Sequence, residues 1–307
     1  MLSILIPEYN YDCTKLVKGL AGQCCDAGIV FEIIVMDDAS TLYKAENRCI
    51  AEIPGCLFLE SEHNLGLAKT RNRLAAKSQY QYLLMIDCDA EIKDQTYIRN
   101  YLKYIGQAQV VAGGISYSIE KPDSDRSLRW YYGRKRESLP AKVLNQNPYK
   151  SSLSFNLMMT REVNRQCPYD ESFKDYGHED SVLGYTLKQK SISVLHIDNP
   201  LIHKCLDKNE VFLSKSLKAV EKYVTNPAFK SDELIEQIKI FRVFRKIQTI
   251  GLCKLFALKF RIARKFMEHN LFGKHPSLFI FDVYRLSYLC NLSLSQQETV
   301  PTKKSQR

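Results

Sequence analysis

The stretch Tyr82-Leu83-Leu84-Met85-Ile86-Asp87-Cys88-Asp89-Ala90-Glu91 decides the fold. Four apolar residues, Leu83 to Ile86, run straight into two carboxylates separated by one residue. An apolar run of this kind reads as a strand buried on both faces, the pattern of a parallel sheet. Carboxylates at its end cannot enter the core unpaired, because removing them from water is expensive. They belong at the carboxyl edge of the sheet, where open α/β sheets bind ligands. Two carboxylates there suit a hard cation, Mg²⁺ or Mn²⁺, of the kind that carries a diphosphate. Taken alone, the pattern is equally that of a strand followed by an Asp-rich turn.

Upstream, Leu2-Ser3-Ile4-Leu5-Ile6-Pro7 reads as a first strand stopped by proline. Thr14 to Gln23 places Leu16, Val17 and Leu20 at helical spacing. Phe31 to Met36 is a second apolar run, closed by Asp37-Asp38-Ala39-Ser40, and Cys56 to Leu59 is a short third strand. The turn His63-Asn64-Leu65-Gly66 leads into a helical pattern over Leu67 to Ala76. Strand, loop, helix and strand recurring at this pitch predict βαβ units and a mostly parallel sheet. Downstream, Val110 to Ile119 is expected to form one strand weakened by Gly113-Gly114, and the polar interval Lys121 to Tyr149 a flexible loop over the site. Ser154 to Thr160 and Ile192 to Ile197 read as strands. Arg161-Glu162-Val163 reads as a turn and Ser181 to Lys190 as a helix.

No G-x-G-x-x-G follows the first strand and no G-x-x-x-x-G-K-[ST] occurs, which weighs against a nicotinamide dehydrogenase and a P-loop enzyme. A nucleotide bound here would be held by carboxylates and metal instead of a glycine cradle.

The chain of 307 residues is long enough for one large domain and an appendage. None of its ten cysteines has C-x-x-C spacing, and they read as reduced packing residues of a cytoplasmic protein. Met1 to Ile6 stops at Pro7 with no basic residues before it, so no signal peptide is expected. No run approaches the roughly 18 apolar residues of a membrane span, and the protein is expected to be soluble or peripheral on the inner face of the cell membrane. Of the net charge of +10, +9 lies between Lys230 and Arg307. Between Lys239 and Lys265 nine basic residues and no acidic one alternate with Phe241, Phe244, Phe256, Phe260 and aliphatic residues. Such a segment reads as an anionic-membrane surface element or as helices packed on their own domain with a solvated basic face. Nucleic acid is the least favoured partner. The composition divides the chain into a domain of alternating strands and helices at 1–225, a basic amphipathic helical region at 226–294 and a disordered tail at 295–307.

Five motifs stand in a particular order: Ile6-Pro7-Glu8-Tyr9-Asn10, Val35-Met36-Asp37-Asp38-Ala39-Ser40, Asn64-Leu65-Gly66-Leu67-Ala68-Lys69-Thr70-Arg71-Asn72, Ile86-Asp87-Cys88-Asp89 and Gly177-His178-Glu179-Asp180. Over residues 1–210 or so the chain resembles the inverting family 2 glycosyltransferases of the GT-A, Rossmann-like α/β fold. The resemblance implies a donor nucleotide held by Pro7, Glu8, Tyr9, Asp38, Arg71 and Asp87. Asp38 suits that role because a carboxylate accepts the imide N–H of uracil. It also implies Mn²⁺ or Mg²⁺ on Asp89, with His203 as a further metal ligand. Asp180 becomes the general base, beside Glu179. Glu8 departs from the small or apolar residue usual in the family. The implied function is metal-dependent transfer of a sugar from a nucleotide-diphosphate donor, a UDP-sugar first, to a hydroxyl of a glycan or lipid-linked acceptor in bacterial cell-surface polysaccharide synthesis. A sugar-nucleotide pyrophosphorylase and an inactive transferase-like scaffold are the alternatives. The sugar and acceptor would be selected by the loops at 113–150 and 170–180.

Overall fold

The structure, a computed structural model, describes residues 1–150, 153–173 and 177–299. The chain forms two compact units. The first comprises Met1–Glu120 and Gly133–Leu206; the second comprises Lys121–Tyr132 and the chain from Asp207 onward. The division drawn from composition at residue 225 and this one differ by the helix Asn209–Thr225 and by the short excursion Lys121–Tyr132.

Among the described residues the first unit has ten strands: β1 (Leu2–Glu8), β2 (Phe31–Asp37), β3 (Cys56–Glu60), β4 (Tyr82–Ile86), β5 (Ala90–Glu91), β6 (Val110–Ala112), β7 (Ile115–Ser116), β8 (Asn156–Thr160), β9 (Val194–His196) and β10 (Leu201–His203). Seven make one sheet in the order β3-β2-β1-β4-β8-β6-β9, and three make a second in the order β5-β10-β7. In the large sheet β8 alone runs against its neighbours. The expectation of a mostly parallel α/β sheet is therefore met. Leu5, Ile34, Leu83, Met85 and Leu157 are fully buried in the core, with Leu74 and Ala75 from the helix Leu67–Lys77 packed against them. These apolar runs are buried because helices cover both faces of a parallel sheet.

Three sequence expectations change. The interval Val110 to Ile119 is two strands, with Gly113-Gly114 carrying the chain from one sheet to the other. The apolar residues on either side are continuous, so periodicity alone could not see the switch. The polar interval after Lys121 is mostly helical: Ser127–Tyr132, a π-helical turn at Gly133–Glu137, and Ala141–Leu144. Leu128, Trp130 and Ala141 are its buried anchors. Arg161–Gln166 is likewise a helix, N-capped by the Thr160 side chain, where a turn was expected.

The second unit is helical: Asn209–Thr225, Asp232–Gln237, Lys239–Thr249, Cys253–Leu271 and Leu278–Thr299. Its core joins Leu128, Phe212, Leu213, Phe260, Met267, Leu271, Phe281 and Tyr284. The basic helical segment is broken at Gly251, which lies in the left-handed region at φ +76°. The apolar face of Lys239–Thr249 is turned inward, with Phe241 and Phe244 each 5.0 Å from the Tyr223 ring. Residues 295–299, read from composition as part of a polar tail, continue the last helix, while 300–307 lie outside the described residues. Among the described residues no helix is long and apolar enough to cross a membrane.

Candidate active site

The loops at the carboxyl ends of β1, β2 and β4, and the segments that face them, carry the acids singled out above. After β1, Pro7 pairs with Met36 of β2 and Tyr9 projects to solvent. Glu8 is buried and accepts hydrogen bonds from Tyr11 N–H at 2.8 Å and from Ser40 Oγ at 3.2 Å. Burial pushes its carboxyl up to about 7; the Tyr11 N–H opposes the shift and the adjacent Asp37 adds to it. Asp37 accepts from Ser40 N–H at 2.7 Å and faces Lys44 Nζ at 3.4 Å. Asp38 receives the backbone N–H groups of Leu65 and Gly66 at 2.7 and 3.0 Å, at the start of the helix Leu67–Lys77. Its carboxylate thus ties the loop after β2 to that helix, and each oxygen keeps a lone pair for a further donor.

That helix delivers Arg71. Its guanidinium is 2% exposed and reaches Asp87 Oδ1 at 2.5 Å. It also lies 5.2 Å from the Tyr169 ring centroid. Burial works against its charge, but Asp87, Tyr169 and Asp180 outweigh burial and hold the guanidinium protonated. Asn72, the next residue on the helix, exchanges hydrogen bonds with the Tyr169 backbone at 2.9 and 3.0 Å, which brings the Tyr169 segment to this place.

Asp180 stands in the first turn of the helix Glu179–Gln189, where an acid is favoured by the helix dipole. Glu179 accepts from Gly177 N–H at 2.9 Å. Asp180 Oδ1 receives both the hydroxyl and the N–H of Ser154, the latter at 3.3 Å. Burial raises the Asp180 carboxyl to about 6; the Arg71 charge pulls it down, and Glu179 and Asp87 push it up. A carboxylate tuned to that range accepts protons efficiently near neutral pH.

Asp89 meets a different partner. The antiparallel register of β5 and β10 sets His203 opposite Ala90, and His203 Nε2 lies 3.4 Å from Asp89 Oδ2. The imidazole is stacked between Tyr117 and Phe155, 5.5 Å from each ring centroid. Among the described residues no group of three or more His, Cys, Asp or Glu side chains converges to hold a metal. A carboxylate and an imidazole within reach of each other form a two-donor set. Mg²⁺ and Mn²⁺ take their remaining ligands from water and substrate phosphate, so the pair fits an ion shared with a diphosphate.

The structure therefore brings Asp87 and Asp180, both half-buried, to the buried guanidinium of Arg71, sets Asp89 against His203, and ties Glu8 and Asp38 into the loops after β1 and β2. Ser154, Tyr169 and Asn72 had no role in the sequence reading. For Ser154 and Tyr169 no local signal exists, since they meet their partners from 26 and 98 residues away in the chain. The Ser40 link to Asp37 could have been found, because a side chain accepting from the N–H three residues on is a local turn signal.

A mostly parallel sheet with acids gathered at its carboxyl edge is the GT-A arrangement of nucleotide-sugar transferases. The model of glycosyl transferase family 2 matches residues 3–166, more than half of the chain, and the chain belongs to that family. Compared with curated proteins, the sequence finds no significant match. Among solved structures it is similar to TarS of S. aureus, with TM-score 0.53 and 17% identity over 88% of this chain and 47% of that one. It is similar also to TarS 1–349 in complex with UDP-GlcNAc, at TM-score 0.50 and 15% identity, covering 96% and 92% of the two chains. A third is the mannosyltransferase PcManGT from Pyrobaculum calidifontis in complex with GDP-Man and Mn²⁺, at TM-score 0.53 and 12% identity over 97% and 87%. The chain spans about half the length of the longer TarS structure. At these identities the likeness is one of fold.

Proposed function

We propose that this glycosyltransferase is metal-dependent and inverting, and that it moves a sugar from a UDP-sugar to a hydroxyl of a glycan or lipid-linked acceptor in bacterial cell-surface polysaccharide synthesis. The observation that carries the reading is Asp180, a carboxylate raised to about 6 beside a buried guanidinium. Asp180 takes the proton from the acceptor hydroxyl. The acceptor oxygen bonds to the anomeric carbon as the bond to the diphosphate oxygen breaks, so one displacement inverts the configuration and no covalent nucleophile is required. Ser154 orients Asp180 through its hydroxyl and N–H. Arg71 Nε has no hydrogen-bond partner among the described residues, which supports a contact to the donor. Asp89 and His203 would hold the divalent ion, which when bound supplies positive charge to the leaving diphosphate. Pro7, Glu8, Tyr9 and Asp38 would frame the nucleobase. Complexes of fold neighbours with UDP-GlcNAc and with UDP, GalNAc and Mn²⁺ favour UDP, and the one with GDP-Man makes GDP the competing donor. Family membership weighs against the pyrophosphorylase alternative, and turnover separates an enzyme from an inactive scaffold.

The test is nucleotide release from UDP- and GDP-sugars with Mn²⁺, read together with calorimetric UDP binding. Asp180→Asn is expected to lower turnover ~10²–10⁴-fold while UDP still binds. Asp89→Ala is expected to lose the Mn²⁺-dependent part of UDP affinity. Near-wild-type turnover in Asp180→Asn overturns the base assignment, and unchanged UDP affinity in Asp89→Ala overturns the metal assignment.

A further inference from the structure

The helix Cys253–Leu271 carries two apolar rows, and its own unit uses only one of them. Cys253, Ala257, Phe260, Met267 and Leu271 are buried, and Phe260 packs on Tyr284 and Tyr288 at 5.3 and 5.5 Å. The second row is Leu255, Leu258, Ile262 and Phe266, which are 58%, 53%, 76% and 75% exposed. Spacings of three, four and four residues set these side chains one above another on a single face. At about 100° per residue, Lys254, Arg261 and Lys265 flank this row on one side and Lys259 on the other. No acidic residue occurs between Lys239 and Met267. The preceding helix, Lys239–Thr249, has the same composition but buries Phe241, Phe244 and Ile247. The outward row is therefore particular to the second helix and is not a by-product of a phenylalanine-rich sequence.

We infer that this outward face of Cys253–Leu271 docks in the plane of an anionic bilayer surface. Its apolar row would enter the acyl boundary while the flanking lysines reach lipid phosphates. Lysine stems lie along apolar surface and keep the ammonium in the polar layer, and a narrow apolar row between cationic flanks is the pattern of a helix lying in the interface. Charge decides against a second copy of the chain as the occupant. A two-fold contact sets the same face against itself, so lysine would meet lysine. Spanning the bilayer is not at issue, since no described helix is long and apolar enough for it.

The test uses the full chain of 307 residues, co-sedimented with vesicles of phosphatidylcholine alone and of phosphatidylcholine with phosphatidylglycerol. Neither donor nor acceptor enters the measurement, so its failure and the failure of the transferase reading are separate results. Binding is expected only with phosphatidylglycerol and is expected to weaken with added salt. Reversing Lys254, Lys259 and Lys265 to Glu is expected to reduce partitioning by more than ~10²-fold, at roughly fivefold per basic residue removed. Ile262→Asp with Phe266→Asp is expected to reduce it at least ~10-fold with the melting temperature unchanged, because both side chains face solvent. Absence of binding to anionic vesicles overturns the inference. So does full binding by the Asp double variant, which reduces the surface to a plain charge patch. Self-association that the double variant disperses, without vesicle binding, assigns the row to a second copy and overturns it as well.

Discussion

The carboxyl edge of the main sheet carries two acid clusters, and they are balanced in opposite ways. Asp87 and Asp180 surround the guanidinium of Arg71, which has almost no exposed surface. Glu8 and Asp37 are as deeply buried, but the cation facing them is Lys44, at 3.4 Å from Asp37 and one third exposed. In the first cluster a buried positive charge offsets the repulsion between acids, so Asp180 rises only to about 6. In the second, burial raises Glu8 to about 7, and the adjacent Asp37 adds to the rise with no buried cation among the described residues to offset it. The proposed base sits in the first cluster; the second ties the loops after β1 and β2 together through Ser40.

Removing the guanidinium is the strongest way to break this contrast. Arg71→Met leaves the half-buried Asp87 and Asp180 without their cation, and stripping one partner from a fully buried pair costs about 3–5 kcal/mol, less where the carboxylates keep some exposure. The variant is expected to melt far below the wild type at pH 7, with part of the loss recovered at pH 5, where Asp180 takes a proton. Equal melting temperatures would remove charge balance as the role of Arg71. Next in size is the pH profile of transfer. As the proposed base, Asp180 would have to be ionised, so kcat/KM is expected to fall about tenfold per pH unit below about 6. A profile flat down to pH 4.5 would exclude Asp180 as the base. The smallest effect belongs to the second cluster. The folded-state carboxyl of Glu8 lies above its ordinary value of 4.5, so its contribution to stability is complete below 4.5 and is lost as pH rises through about 7. Glu8→Gln never ionises and is expected to melt a few degrees above the wild type at pH 8, on the order of 1–2 kcal/mol, with no difference at pH 4.5. A destabilised Glu8→Gln at pH 8 would show that the ionised carboxylate is what the loops require.

Legibility in the sequence followed chain separation. The strands β1 to β4 and the helix Leu67–Lys77 were readable because apolar runs and turn residues are local signals. The acids at their ends were readable for the same reason: a charge after a buried run has to sit at an edge. What Arg71 does was not readable, since its burial depends on Tyr169 and Asp87, which arrive from other elements. The sheet switch at Gly113-Gly114 was hidden inside a continuous apolar pattern. The helices within 121–149 were hidden by polarity, because a few anchors such as Leu128 and Trp130 suffice to hold them. In the second unit the sequence showed amphipathic helices but not which apolar face turns inward. That choice is made by partners such as Tyr223 and Phe281.

Asn156 sits at the seam where the chain changes sheets. It pairs with Ile86 at the end of β4, next to Asp87. Its side chain accepts from the hydroxyls of Tyr97 and Tyr101 at 2.6 Å and donates to the carbonyls of Gly114 and Asn199 at 3.0 Å. A side chain at Gly113 would put its Cβ 2.5 Å from Asn156 Nδ2 and from the Tyr101 hydroxyl, so the seam has no room to slide. One amide therefore locks the strand that leads into Asp87 to the segments that carry β7 and β10. The facing of Asp89 and His203 is then a property of the scaffold, and an ion of the kind proposed for the pair would not have to meet the entropy of assembling it.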